Sequence, residues 1–225
     1  MKLINKFKSF NFNKRKNNIS PSLIIIHYTA MQDEFEAMEH LLNSSNKVSC
    51  HFLINKKGSI YNLVDIDKRA WHAGLSYWKH NTDINSQSIG IELDNSGPLN
   101  RNEKFTLMQT KSLIKLIHYL KKKYLISSRD ILGHSDISPY RKIDPGIRFP
   151  WLILSKKSLV FFPKKITKKQ NRSIKNYFLG LDIRGKKQKI IYMLGKIGYD
   201  ISPAVRSHNK FLLLIRAYKI HYNQL

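Results

Sequence analysis

Hydrophobic and polar positions divide the chain into segments of different period. Residues 23–27 (LIIIH) form a short β-branched run ending on a histidine, the pattern of a strand buried on both faces. Residues 49–54 (SCHFLI) and 88–93 (SIGIEL) predict two more strands. Residues 60–64, after a Lys56-Lys57-Gly58-Ser59 turn, predict the return strand of a hairpin. Elsewhere the period lengthens. Over 33–42, Phe35, Met38, Leu41 and Leu42 fall at helical spacing, with acids in the first turn where the helix dipole favours them. A longer helix is predicted over 104–124, with Phe105, Met108, Leu113, Leu116, Ile117 and Leu120 on one broad face. Residues 130–132 predict a strand that opens into a loop over 133–150. Strands alternating with helices imply an α/β fold, a central mixed sheet flanked by helices.

The pattern weakens at both ends. Residues 156–175 are rich in Lys, Ser and Asn and read as a basic linker, with some order over 159–162. Residues 188–197 and 208–222 predict two helices joined by a turn at 198–203, so residues 176–225 read as a short all-α segment. Residues 1–20 read as a basic N-terminal arm, disordered ahead of a main domain over 21–155. The spacing of Leu3, Phe7 and Phe10 offers a second, weaker expectation for this arm, an amphipathic helix on a membrane surface.

Composition narrows the function classes. The 225 residues are 42% hydrophobic, enough to bury a core. One cysteine excludes a disulfide framework within the chain and a Cys-rich zinc module. The formal net charge is +25. It divides as +6 over 1–20, +4 over 21–154 and +15 over 155–225, so the main domain is nearly balanced. The excess in the flanks fits either binding to an anionic polymer or solvated positions filled with lysine. No basic motif interleaved with aromatics is present, so nucleic acid is not an expected partner. No apolar run approaches the roughly 20 residues of a transmembrane helix. The arm lacks the apolar stretch of a secretory signal and a lipid-attachment cysteine near the start. The sequence as given therefore predicts a cytoplasmic protein, or a periplasmic or outer-membrane-associated one if the true start lies upstream.

Three residues have the chemistry of metal ligands. His27 ends an apolar strand, His134 follows another, and Asp144 precedes Pro145-Gly146 in a turn. Two imidazoles and one carboxylate leave a fourth tetrahedral position open, the ligand count of a catalytic zinc site. Spacing alone leaves a plainer reading open, of satisfied polar residues at strand ends and a turn aspartate. Glu92 interrupts an apolar strand, where a carboxylate must be paired or have its pKa raised. Next to an activated water it suits a general base; next to a strand-end cation it is a salt bridge. Lys142, two residues before Asp144, is placed to stabilise an oxyanion or is one more surface lysine.

Four co-linear segments, IIIHYTA (24–30), WHAG (71–74), SIGIEL (88–93) and GHSDISPYRKIDPG (133–146), resemble the zinc N-acetylmuramoyl-L-alanine amidases of the amidase type 2 family, which includes the peptidoglycan recognition proteins. The resemblance covers about residues 20–155. It is greatest to the bacterial branch of the lipoprotein amidase and the anhydro-muropeptide amidase. It implies one Zn2+ held by His27, His134 and Asp144, Glu92 as catalytic acid/base, and Lys142 stabilising the tetrahedral intermediate. The implied substrate is peptidoglycan or a muropeptide, cleaved between the lactyl group of N-acetylmuramic acid and L-alanine. A non-catalytic peptidoglycan-binding module of the same fold is the alternative. Within the resemblance, Trp71 and His72 are expected along the substrate groove, Trp78 against a sugar face, Arg141 on a stem-peptide carboxylate, and Tyr28 orienting substrate. His51 is expected in the core or behind the ligands, Cys50 as a buried small hydrophobe, and His221 as an ordinary helix residue. Residues 193–202 and 211–222 weakly resemble the helical peptidoglycan-binding domain of the lipoprotein branch. Two roles follow for them: binding wall, or covering an apolar face of the catalytic domain.

Overall fold

The computed structural model describes residues 2–100, 103–164 and 166–222. From the N-terminus, β1 (Leu3–Ile4), β2 (Phe12–Lys14) and β3 (Leu23–Tyr28) precede α1 (Glu34–Leu42). Strands β4 (Phe52–Ile54), β5 (Ile60–Asn62) and β6 (Lys68–Ala70) follow, then the one-turn α2 (Ile84–Gln87), β7 (Ser88–Leu93) and the long α3 (Leu107–Tyr124). Strand β8 (Ile131–Gly133) runs directly into the one-turn α4 (His134–Ile137). Helices α5 (Trp151–Lys156), α6 (Lys168–Leu179), α7 (Ile183–Ile197), α8 (Ser202–Arg206) and α9 (His208–Tyr222) complete the described chain.

Six strands form a mixed sheet in the order β1-β5-β4-β7-β3-β8, while β2 and β6 form a separate antiparallel pair. Within the larger sheet only the β4–β5 hairpin is antiparallel. Helices cover both faces, as the alternating pattern predicts. On one face Ile24, Ile26, Ile89 and Ile91 pack with Leu113, Leu116, Ile117 and Leu120 of α3 and with Trp151 and Leu154 of α5. On the other, Leu23, Ile25 and Leu132 pack with Ile191, Leu194, Leu214 and Ala217 from the C-terminal helices and with Tyr199 from the turn after α7. β3 is therefore buried on both sides, which is why it reads as an uninterrupted apolar run.

The ends of the chain differ from the sequence-based expectation. The N-terminal arm is folded: β1 adds a parallel strand beside β5, and β2 pairs with β6. Its apolar residues Leu3 and Phe7 pack onto the domain and its Arg15 is buried. Neither a disordered arm nor an amphipathic membrane helix describes residues 2–20. The linker expected over 156–175 contains buried Leu159 and Val160 and the first two thirds of α6, which opens with a Thr167–Gln170 capping box. α7 begins five residues before the expected 188, because Asp182 caps it by accepting from the Gly185 N–H at 2.7 Å. The C-terminal helices share one core with the sheet, which matches their face-covering role.

Candidate active site

The register of the parallel strands builds the site. His27 lies beside Glu92 across β3 and β7, and Ile26 lies beside Gly133 across β3 and β8, so His134 follows one step on. Three adjacent strands thus deliver their carboxyl ends to one edge of the sheet, where α/β folds commonly place their chemistry. Asp144 returns on the loop after α4, tied back by the Ser135 N–H donating to the Asp144 carbonyl at 2.9 Å. His27 Nδ1, His134 Nδ1 and Asp144 Oδ2 form a triangle with each side 3.0 Å. All three residues are buried.

The outer nitrogens of the two imidazoles fix what the inner ones present. His134 Nε2 lies 3.1 Å from the Ala73 carbonyl, which can only accept, so Nε2 carries the proton and Nδ1 is bare. For His27 the argument passes through two more residues. The Ser88 hydroxyl donates to the Ile84 carbonyl at 2.6 Å, leaving its oxygen to accept from His72 Nε2–H at 3.1 Å. His72 Nδ1 is then an acceptor for His27 Nε2–H at 3.1 Å, and His27 Nδ1 is bare. Burial keeps His27 neutral, lowering its pKa to about 4, and pushes His72 well below the ordinary imidazole value. Two bare nitrogens and a carboxylate oxygen therefore face one another, an arrangement that calls for a cation at their common focus.

The cleft above this triangle has a volume of about 200 Å³, and Tyr28, His72, Glu92 and Lys142 line it with the three ligand-type residues. Glu92 Oε2 is shielded from solvent and has no hydrogen-bond partner. Burial first, then the Asp144 charge, raises the Glu92 pKa to about 8 against an opposing effect of Lys142. The group is suited to exchanging a proton near neutral pH rather than to a permanent salt bridge.

The family model for N-acetylmuramoyl-L-alanine amidase matches residues 16–147, which contain the whole triangle, Glu92 and Lys142. The chain belongs to this amidase family. AmiD of Escherichia coli K12 is 30% identical over 214 residues, covering 89% of this amidase and 74% of AmiD. The 1,6-anhydro-N-acetylmuramyl-L-alanine amidase AmpD of Haemophilus influenzae is 35% identical over 164 residues, covering 65% and 87%. Among solved structures, E. coli AmiD in complex with the substrate anhydro-N-acetylmuramic acid-L-Ala-D-gamma-Glu-L-Lys superposes with a TM-score of 0.77 at 28% identity, over 92% of this chain and 82% of that one. AmpDh3 of Pseudomonas aeruginosa in complex with anhydromuramic pentapeptide gives 0.80 at 27%, over 92% and 84%.

The remaining expected site residues of the amidase divide. Tyr28 reaches the cleft with its ring held close to Gly97, where a Cβ would stand 2.7 Å from Tyr28 Cε2. His72 lines the cleft and also lies against the nitrogen of His27 that faces away from Asp144. Trp78 is 2% exposed and packs edge-on against Tyr199, so it has no face to offer a sugar. Trp71 turns its indole N–H to Asn13 Oδ1 at 3.0 Å, away from the cleft. Arg141 also lies outside the cleft, its guanidinium donating to the Ala73 and Leu75 carbonyls at 3.0 and 2.9 Å. His51 is buried, accepting from the Gly90 N–H on Nδ1, and Cys50 is a buried apolar group.

One cluster escaped the sequence reading. Asp136, in α4 two residues after His134, is fully buried. It accepts from the Gly133 N–H at 2.8 Å, the Tyr199 hydroxyl at 2.5 Å and His221 Nδ1 at 2.6 Å. The His221 ring stacks on Trp151, with centroids 3.7 Å apart. The expectation of an ordinary helix residue fails because α9 folds back onto the sheet. An acid between a candidate ligand and an apolar position was the one available signal.

Proposed function

We propose that this amidase holds one zinc ion with His27, His134 and Asp144 and hydrolyses the amide between the lactyl group of N-acetylmuramic acid and L-alanine. The observation that carries the metal reading is the convergence of three electron pairs across 3.0 Å, with the two histidine tautomers fixed from outside. Two nitrogens and one carboxylate oxygen are the donor set of a catalytic zinc site with an open position. When bound, the ion supplies Lewis acidity toward a water and toward the scissile carbonyl.

The protein's own groups supply the rest. Glu92 Oε2, unpartnered and desolvated, takes a proton from the attacking water as its oxygen forms the new bond to the lactyl carbonyl carbon. The Lys142 ammonium holds the negative charge that develops on the carbonyl oxygen, a role whose loss costs roughly 10²–10³ in turnover. Glu92 then gives its proton to the departing alanine nitrogen as the C–N bond breaks, leaving a carboxylic acid and a free amine. Tyr28 borders the cleft and orients the substrate. The anhydro-muropeptides bound by AmiD and AmpDh3 support a muropeptide substrate for this chain too. Glu92→Ala should retain a stoichiometric metal ion, measured by elemental analysis, and lose muropeptide hydrolysis followed by mass spectrometry. A variant as active as the parent would overturn the assignment.

A further inference from the structure

Helix α6 has no buried residue. Ile174, Tyr177 and Phe178 follow the i, i+3, i+4 spacing of one face of the helix, Leu181 follows just past its C-terminal end, and Lys168, Arg172 and Lys175 occupy the opposite face. Such an apolar row normally seats on a core. Here Ile174 and Tyr177 remain 46% and 51% exposed, and none of the four belongs to a core cluster. Ile166, just before the helix, and Ile183, at the start of α7, are also exposed by more than half.

The charge around this face has one sign. No acidic residue lies between Asp144 and Asp182, while nine basic residues do. Asp182 is already engaged as the cap of α7. α7 adds Lys189, whose ammonium stands 5.4 Å from the Tyr177 ring and 5.6 Å from that of Tyr192. Exposed tyrosines flanked by lysines suit a boundary that is apolar on one side and wet on the other.

We propose that α6 docks the protein on an anionic phospholipid surface, with Ile174, Tyr177, Phe178 and Leu181 entering the headgroup–acyl boundary and the surrounding lysines and arginines meeting lipid phosphates. A basic helix with a wide apolar face, too short and too charged to span, has the chemistry of an interfacial helix. No helix among the described residues is long and apolar enough to cross a membrane, so the contact is peripheral. The other occupants fit less well. A second copy brings the same positive charge to the interface. Nucleic acid and peptidoglycan satisfy the cations and leave an aliphatic row without a partner. The proposal does not depend on the amidase reading.

The test is co-sedimentation of the full chain with vesicles of phosphatidylcholine alone or with phosphatidylglycerol added, at low and high salt, beside insoluble peptidoglycan. The expected result is binding to the anionic vesicles at least ten times tighter than to the neutral ones, weakened by salt. The double variant Ile174→Ser, Tyr177→Ser removes only exposed groups and should lose most of that binding while hydrolysing soluble muropeptide normally. The variant Lys168→Gln, Arg172→Gln, Lys175→Gln should lose the preference for anionic lipid. Equal affinity for both vesicle types, no vesicle binding at low salt, or unchanged binding by the double variant would each overturn the proposal. Sedimentation with peptidoglycan alone, abolished by the same substitutions, would assign the face to the wall instead.

Discussion

Glu92 carries a pH dependence whose sign follows from its surroundings. Its folded pKa is raised from an ordinary 4.5 to about 8, mainly by burial. Between those values the folded chain holds a proton that the unfolded chain has released. The contribution of this group to stability is therefore complete below about 4.5 and is lost as pH rises through about 8. Urea unfolding of the metal-stripped protein should show a midpoint that falls across this interval, and Glu92→Gln should remove that part of the slope. Parallel slopes would mean that the carboxyl ionises normally in the fold. A bound dication favours the carboxylate, so the metal-loaded protein should show a shallower fall. Ser88 and Gly90 act one residue further out. Without the Ser88 hydroxyl, nothing holds the proton on His72 Nε2, and the orientation of His27 loosens. Ser88→Ala should weaken zinc binding by about 10–100-fold, read by competition with a chromophoric chelator. Gly90→Ala should do more, because its Cβ would stand 2.4 Å from His72 Cγ. A zinc affinity untouched by both changes would dissociate His72 from the metal site.

Among the elements, α4 is the one on which the two halves of the chain converge. It presents His134 to the cleft and Asp136 to the C-terminal helices. Asp136→Asn keeps the shape and removes the charge that three donors share, which should lower stability by about 2–3 kcal/mol. Thermal unfolding measures this, and a transition temperature equal to the parent's would show that the three contacts contribute nothing net. The same element marks where sequence reading succeeded and where it stopped. β3, β7, α1 and α9 were legible because each carries an apolar period of its own, and His27 and His134 were legible because they sit at strand ends. Asp136, Tyr199 and His221 were not, since they acquire their roles only when α7 and α9 fold back on β8. α6 was hidden for a different reason: a helix that buries nothing leaves composition as its main sequence signal, and a Lys/Asn-rich composition resembles a linker.

For the whole molecule, the +25 charge is a poor guide to the chemistry and a better guide to geography. The edge of the sheet that carries the candidate active site is built from a nearly neutral stretch of sequence, and the positive excess lies mainly after residue 154. Charge at one end of the sequence and catalysis in the middle are then separable properties of one body, since the C-terminal helices and the sheet share a core. The N-terminal excess is spent differently. Arg15 is buried and its guanidinium donates to the carbonyls of Ile66, Asn85, Ser86 and Ser88 at 2.7–3.3 Å. Those last three carbonyls lie where α2 passes into β7, the strand that carries Ser88, Gly90 and Glu92. The first fifteen residues thus work as a latch on the strand that serves the cleft. A protease that cut just after Arg15 would leave the ligand-type residues, Glu92 and the cleft all covalently intact. It would nonetheless free the fastening from the chain that steadies it, so trimming this end is a change to the active site made from outside it.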